Sequence, residues 1–343
     1  QNREPKEWSF RTFGHLKVRD HGCGWRQAPC TPRDAWRIRF TNPIDAKGFR
    51  RDMLRVDPAV PGLEVQARGD TITARGVPRG RTRYEVTVSA DLRDIFGQTH
   101  DEEATLAFDV GPMDDALFAT AGELVVLAPG GPPGFPVYSV NHAALRVELR
   151  AVSPEDWEAW SRYRESRWRR EPVAPPGRRI LQDTVPVEGA DDRLVETSID
   201  LAPALEDGLG QVVVIVRPEA SKDPDDDDLV HAWVQVTGLG LDAVADEKTL
   251  LAWATGLEDG RPLPGVELSL GPSQTGQTDE DGVARLDLPE SPAALLVARR
   301  GRDVAFLPAC GASGGGGWQR SERQDTLRFF VFDDRRIYRP GEE

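Results

Sequence analysis

The chain has 343 residues, 39% hydrophobic and 29% charged, with a formal net charge of -14. That length suits about two to four domains. The acidic balance works against a nucleic-acid role, because it repels phosphates, and no apolar run approaches the ~18 residues of a membrane span. The 33 Gly and 27 Pro favour many short strands joined by turns over long helices. Charge is uneven: residues 1–110 hold 19 Lys and Arg against 16 Asp and Glu, so the acidic excess lies after residue 110. Gln1 opens the chain without a basic and then apolar leader, so a signal peptide is expected upstream or already removed.

Residues 1–110 are expected to form one Ig-like β-sandwich. Alternating runs at Trp36-Arg37-Ile38-Arg39-Phe40, Arg83 to Val88 and Ala104 to Phe108 are punctuated by Pro61-Gly62, Arg68-Gly69-Asp70 and Phe96-Gly97. Arg68-Gly69-Asp70 also spells an integrin-binding tripeptide. Three residues carry little information, and a Gly-centred β-turn accounts for them. Cys23 and Cys30 bracket a short loop with Gly24 and Pro29. A local disulfide, two free thiols and half of a zinc site with His15 and His21 all stand as readings.

Residues 113–241 are expected to form a second β-sandwich. Its strands are Leu124 to Leu127, Leu145 to Leu149 and Val212 to Val216, the last an unbroken apolar run of the kind buried on both faces. A helical insertion is expected near 154–169. Ser153 caps it, Pro154 takes the first position and acids fill the first turn. Trp157, Trp160, Tyr163 and Trp168 interleave with Arg162, Arg164, Arg167, Arg169 and Arg170. That mixture could stack nucleic-acid bases. In an acidic domain it fits better a helix that lays its aromatics on a sheet and leaves its arginines in water. The acidic run Asp223-Pro224-Asp225-Asp226-Asp227-Asp228 lacks the spacing of a Ca²⁺ loop and reads as a solvated turn.

Residues 242–331 are expected to form a third sandwich of short hairpins. Leu250 to Ala254, Val266 to Leu270 and Val283 to Leu288 alternate between turns at Glu258 to Gly265 and Thr278 to Gly282. Leu327 to Phe332 is expected to complete it. Gly311-Ala312-Ser313-Gly314-Gly315 has the Gly-x-Ser-x-Gly spacing but lies in a glycine run that offers no strand-to-helix elbow, His is scarce, and neither His-Glu-x-x-His nor a phosphate loop occurs. No catalytic, cofactor or metal residues are expected, and the chain is expected not to be an enzyme.

The closing stretch carries a resemblance. Asp334-Arg335-Arg336-Ile337-Tyr338-Arg339-Pro340-Gly341-Glu342 is similar to the "DR-x-(I/L)-YRPGE" segment that opens a macroglobulin domain in the alpha-2-macroglobulin family. Trp253 to Leu270, Thr278 to Leu288 and Arg299 to Leu307 resemble further motifs of the bacterial members. The match is specific over roughly 230–343 and weaker before it. It implies an all-β fold of tandem macroglobulin-like, Ig-like sandwiches with one short helical insertion, and it makes 332–343 the start of a further macroglobulin domain. Asp334, Arg335, Tyr338, Arg339, Pro340, Gly341 and Glu342 are then family-motif residues.

In function, the resemblance implies a scaffold segment of a broad-spectrum protease trap in the periplasm or at the cell surface. Its partners would be proteases, reached through parts outside this chain, and another envelope protein. It implies no cofactor, and membrane attachment only through an upstream lipid anchor. Many members carry a Cys–Gln thioester in Gly-Cys-Gly-Glu-Gln. Gly22-Cys23-Gly24-Trp25-Arg26-Gln27 misses it, because the spacing is one residue too long and the Glu is absent. A strained ring of fixed size tolerates no insertion. The alternative reading is a surface or adhesin protein of Ig-like and transthyretin-like modules.

Overall fold

The computed structural model describes residues 12–23, 30–131, 133–166, 173–189, 191–220, 228–309 and 317–321. Three apolar cores follow one another along these residues, each between two sheets.

The first core lies between two sheets of the first unit. In one, Val18–Cys23, Trp36–Phe40, Thr71–Arg75 and Glu64–Arg68 are neighbours in that order. In the other, Leu54–Asp57, Thr82–Val88 and Ala104–Val110 are neighbours. Alternation sends Trp36, Ile38 and Phe40 inward to meet Tyr84, Val86, Val88 and Phe108. The Trp36 and Phe108 rings stack with centroids 4.9 Å apart. Arg68 pairs with Thr71 across a two-residue hairpin turn, and Gly69 takes the left-handed φ of +59° that this turn requires. The tripeptide Arg68-Gly69-Asp70 is therefore the turn expected. Cys23 and Cys30 are joined in a disulfide with Cα atoms 5.2 Å apart, both buried in this core.

The second core lies between a three-stranded sheet and a five-stranded one. The small sheet runs Val195–Asp200, Gly134–Val140, Ala116–Phe118. The large one runs Arg178–Pro186, Ala144–Val152, Gly210–Pro218, Val230–Val236, Leu124–Leu127, with the last pair parallel. Between Val152 and Arg178 the chain makes a 3-10 turn, Pro154–Asp156, and then the helix Trp157–Ser166. The backbone N–H of Ser153 donates to Asp156 Oδ2 at 3.0 Å, which fixes the helix start. Helix was expected to 169; residues 167–172 lie outside the described residues.

The third core lies between Leu239–Ala245, Thr249–Gly256, Val283–Asp287 and the sheet Gln274–Gln277, Glu267–Leu270, Leu295–Arg300, Asp303–Pro308. One expectation is corrected. The boundary read between 241 and 242 falls earlier, because Leu239–Ala245 pairs with Thr249–Gly256 and Leu239 is buried in the third core. The chain crosses at Thr237-Gly238. There the Gly238 N–H donates to Asp303 Oδ2 at 2.9 Å, and the Thr237 hydroxyl donates to Asp303 Oδ1 at 2.5 Å. Val236 to Leu241 resembles a single strand that precedes the third unit, and this hides the crossing. Trp318 and Ala293 exchange two backbone hydrogen bonds, so residues near 318 are tied to the third unit. Leu327 to Phe332 and most of the Asp223 to Asp228 run lie outside the described residues.

The disulfide yields a count. Oxidised, fully unfolded protein should titrate one thiol, that of Cys310; finding three would show that Cys23 and Cys30 are not bonded. Replacing both by Ala should lower stability by about 2 kcal/mol, as expected for so short a loop, read from urea unfolding.

Candidate functional site

The two sequence-expected site groups part company. Cys23 and Cys30 come together as a structural cross-link. Asp334, Arg335, Tyr338, Arg339, Pro340, Gly341 and Glu342 lie outside the described residues. Among the described residues no group of three or more His, Cys, Asp or Glu is arranged to hold a metal ion. The most developed constellation of buried side chains is instead the junction between the second and third sandwiches.

It begins with strand periodicity. In Gly210–Pro218 and Val230–Val236 one set of side chains, Val212, Val214, Val216, Val230, Ala232, Val234 and Val236, fills the second core. The other set points out of the sandwich. Cross-strand register pairs Gln211 with Gln235, Val213 with Trp233 and Ile215 with His231 on that outer face. Left in water, Val213, Ile215 and Trp233 would forfeit about 1.5–3 kcal/mol each of burial. All three are fully or almost fully buried. Two elements cover them.

The first cover is the helix. Trp160 and Tyr163, three residues apart, lie on one helical face and are both buried. Trp160 meets His231 edge to face at 5.3 Å and Trp233 at 6.1 Å. Glu123 ties helix to sheet. One carboxylate oxygen lies 2.8 Å from Arg164 Nη1 and the other 3.2 Å from His231 Nε2. Over its described part, Trp157–Ser166, the aromatic and basic segment is a sheet cover, with Arg164 ion-paired rather than left in water; Arg167, Trp168, Arg169 and Arg170 lie outside the described residues.

The second cover is the edge strand Asp303–Pro308 of the third sandwich. Phe306 is buried against Trp157 at 5.1 Å and Trp233 at 5.4 Å, both edge to face. An edge strand carries unpaired backbone groups that must find partners when buried. Here glutamine side chains take the place of a neighbouring strand. The Phe306 N–H donates to Gln235 Oε1 at 2.8 Å, and Gln235 Nε2 donates to the Phe306 carbonyl at 3.0 Å. Gln211 Nε2 donates to the Val304 carbonyl at 2.7 Å, while Gln211 Oε1 accepts from Trp233 Nε1 at 2.8 Å. Two ion pairs rim the contact, Arg299 with Glu155 at 2.9 Å and Arg302 with Asp207 at 3.1 Å.

The helical aromatics Trp157, Trp160 and Tyr163 are legible in the sequence; Trp233 and the amides of Gln211 and Gln235 are not. The signal for the amides is weak: Gln211 and Gln235 sit in largely apolar strands that also carry Arg217 and His231, and only burial obliges a polar side chain to find a partner. Asp303 and Phe306 fall in the family-like stretch Arg299 to Leu307, but nothing local shows what they face, because their partners are far away in the chain.

The Glu155 carboxyl is held below the usual carboxylate range, first by hydrogen bonding from Ser153 and then by its own backbone, with burial opposing this and Arg299 adding a smaller lowering. A depressed carboxylate stabilises the fold above its unfolded pKa, ~4.3, and loses that contribution as pH falls through the lower folded value. Glu155 is 69% exposed, so solvent screening limits the effect to a few tenths of a kcal/mol. Glu155→Gln should flatten the acid limb of stability by about that much; an unchanged slope below pH ~4 would remove Glu155 from the account.

Two substitutions test the junction itself. Trp157→Ala and Phe306→Ala should each lower stability in urea unfolding, Phe306→Ala by about 3–5 kcal/mol. Their double-mutant cycle should show about 1 kcal/mol of coupling. A cycle that closes to zero would contradict the ring contact across the junction.

Comparison with known proteins agrees with this architecture. The profile of the bacterial alpha-2-macroglobulin MG3 domain matches residues 236–314. The chain is 25% identical over 323 residues to an alpha-2-macroglobulin of Xylella fastidiosa, covering 87% of this chain and 18% of that protein. It is 21% identical over 300 residues to an alpha-2-macroglobulin homolog of Nostoc, covering 76% and 15%. The chain thus spans less than a fifth of these relatives. In fold it is similar to the MG0-NIE-MG1 segment of native Escherichia coli alpha-2-macroglobulin, with TM-score 0.56, 17% identity, and 86% of this chain and 96% of that one covered. Salmonella alpha-2-macroglobulin reacted with methylamine gives TM-score 0.55 and 16% identity over 86% of this chain and 18% of that one.

Proposed function

We infer that this chain, which belongs to the bacterial alpha-2-macroglobulin family, is a scaffold segment of a broad-spectrum protease trap in the periplasm or at the cell surface. Its own domains carry no catalysis. They hold other parts of the parent protein in fixed relation, and proteases are partners only through those other parts. A bait for proteases, a covalent trap and a lipid anchor upstream would all belong to the parent protein. We further propose that the family-motif residues Asp334, Arg335, Tyr338, Arg339, Pro340, Gly341 and Glu342 open a further macroglobulin domain, and that the units lie near 1–110, 113–237 and 238–331.

The observation that supports scaffolding best is the second junction. A catalytic or ligand site presents a concave surface with polar groups aimed at open space. Here the converging polar groups, Gln211, Gln235 and Asp303, are aimed at backbone of the same chain. Rings and amides of this kind set the angle between two domains. Cys23 is committed to Cys30, which leaves no thiol there to form a thioester with Gln27. The surface-protein alternative is not favoured by the relatives.

Two measurements test the reading. The isolated chain, incubated with methylamine or a chromogenic ester, should gain no covalent mass and release no product. An adduct at Cys23 or Gln27 would overturn the scaffold assignment. In the full-length parent, a mixed protease should lose activity on a large protein substrate while keeping it on a small peptide. Phe306→Ala should weaken that protection. A parent that leaves large-substrate cleavage unchanged would rule out the trap.

A further inference from the structure

We propose that the first sandwich is held to the second by a releasable polar clasp centred on Asp192, so that the chain bends there while the second and third sandwiches move as one body. The proposal concerns the mechanics of the chain itself and stands whether or not the parent traps proteases.

Four loops meet at Asp192, whose side chain is only 8% exposed. Its Oδ1 accepts from the Met113 N–H at 2.7 Å and from Asn141 Nδ2 at 3.2 Å. Its Oδ2 accepts from Arg81 Nη1 at 2.9 Å. Its own N–H donates to Asn141 Oδ1 at 2.7 Å, and Asn141 Nδ2 also donates to the Met113 carbonyl at 2.7 Å. One carboxylate thereby binds a turn of the first sandwich, the connecting segment and a hairpin of the second. Arg81 is further tied to that segment, its N–H donating to the Gly111 carbonyl at 3.0 Å, and the Gly111 N–H in turn donates to the Cys30 carbonyl at 2.7 Å.

Two features mark this as a built contact. Among the described residues, five non-glycine residues have positive φ, and three of them are Arg81 at 51°, Asn141 at 59° and Asp192 at 58°. Left-handed backbone disfavours a long side chain such as Arg and persists where surroundings over-determine it. Gly80 supplies the second feature. A Cβ there would lie 2.4 Å from Asp192 Oδ2, so the carboxylate approaches a site that only glycine leaves open.

The binding forces differ in kind at the two junctions. The first apolar core ends at Val110 and the second begins at Leu117, and neither cluster includes a residue of the other. Opening the clasp exchanges protein hydrogen bonds for water ones, so much of their strength is recovered from solvent, and the Arg81–Asp192 attraction weakens with salt. The second junction has its own apolar cluster, in which Trp160, Trp233 and Phe306 come from both sides. Opening that one exposes ring area to water. Load on the chain, or a partner that prefers another angle, therefore bends it at the clasp first.

Spin-label distance measurements on the whole chain test this, with Cys310→Ser to leave only introduced thiols. Glu64→Cys with Thr184→Cys spans the clasp, and Thr184→Cys with Asp281→Cys spans the second junction. The clasp pair should give one narrow distance at low salt. Asp192→Ala should widen that distribution about twofold, and ~1 M salt should widen it in the same direction. The second pair should stay narrow in both. Arg81→Gln, which leaves the backbone bonds of Asp192 in place, should give an intermediate width and serves if Asp192→Ala does not fold. An unchanged clasp distribution in the folded variants and in salt would overturn the proposal. So would equal widening of both pairs.

Discussion

Two strands buried on both faces govern the rest of the structure. Gly210–Pro218 and Val230–Val236 have nearly every residue out of water, yet one sandwich can cover only one face. The second face must be covered by something outside the sandwich, at ~25 cal/mol per Å² of apolar area left exposed otherwise. The helix Trp157–Ser166 and the strand Asp303–Pro308 meet that need. The helical insertion and the angle of the third unit are thus consequences of one constraint. Gln211 and Gln235 lie on the same face, and burial obliges them to find partners; they find the open edge of the third sandwich. Apolar cover and polar satisfaction point to the same docking, as expected of a sequence that specifies one arrangement.

The two junctions therefore divide the chain mechanically. Asp303 closes the second at its crossing, where both carboxylate oxygens hold Thr237 and Gly238. The first is a meeting of turns around one carboxylate. The disulfide lies next to that meeting, since Cys30 pairs with Val110 just before the chain leaves the first sandwich. It fixes where the connecting segment starts and leaves its far end to the hydrogen bonds. The chain thus has two kinds of joint, one that keeps an angle and, as proposed, one that allows another.

Nine of the 22 strands among the described residues were legible in the sequence, because alternation and apolar runs are local properties. Trp36 to Phe40 and Leu124 to Leu127 were read with the observed ends. The turn at Gly69-Asp70 followed from residue chemistry, and the aromatic helix from its cap and spacing. What stayed hidden was decided between distant segments. Leu239 lies only three residues after Val236 of the second core yet belongs to the next core, since the turn at Gly238 is stabilised by Asp303, 65 residues on. Gln235 looks like an exposed polar residue of a half-buried strand until Phe306, 71 residues on, is set against it. Asp192 is one acid among many, and only its meeting with Gly80, Arg81 and Asn141 distinguishes it. Periodicity reveals which face a side chain takes but not what lies opposite.

The second and third sandwiches form one cooperative body through the doubly buried strands. Native-state hydrogen exchange under increasing urea tests it most directly. Amides of Gly210–Pro218 and of Glu267–Leu270, in different sandwiches, should merge onto one opening transition, with free energies within about 1 kcal/mol of each other. If the Glu267–Leu270 amides exchange through a separate, lower-energy opening while Gly210–Pro218 stays protected, the two sandwiches are independent and the account fails.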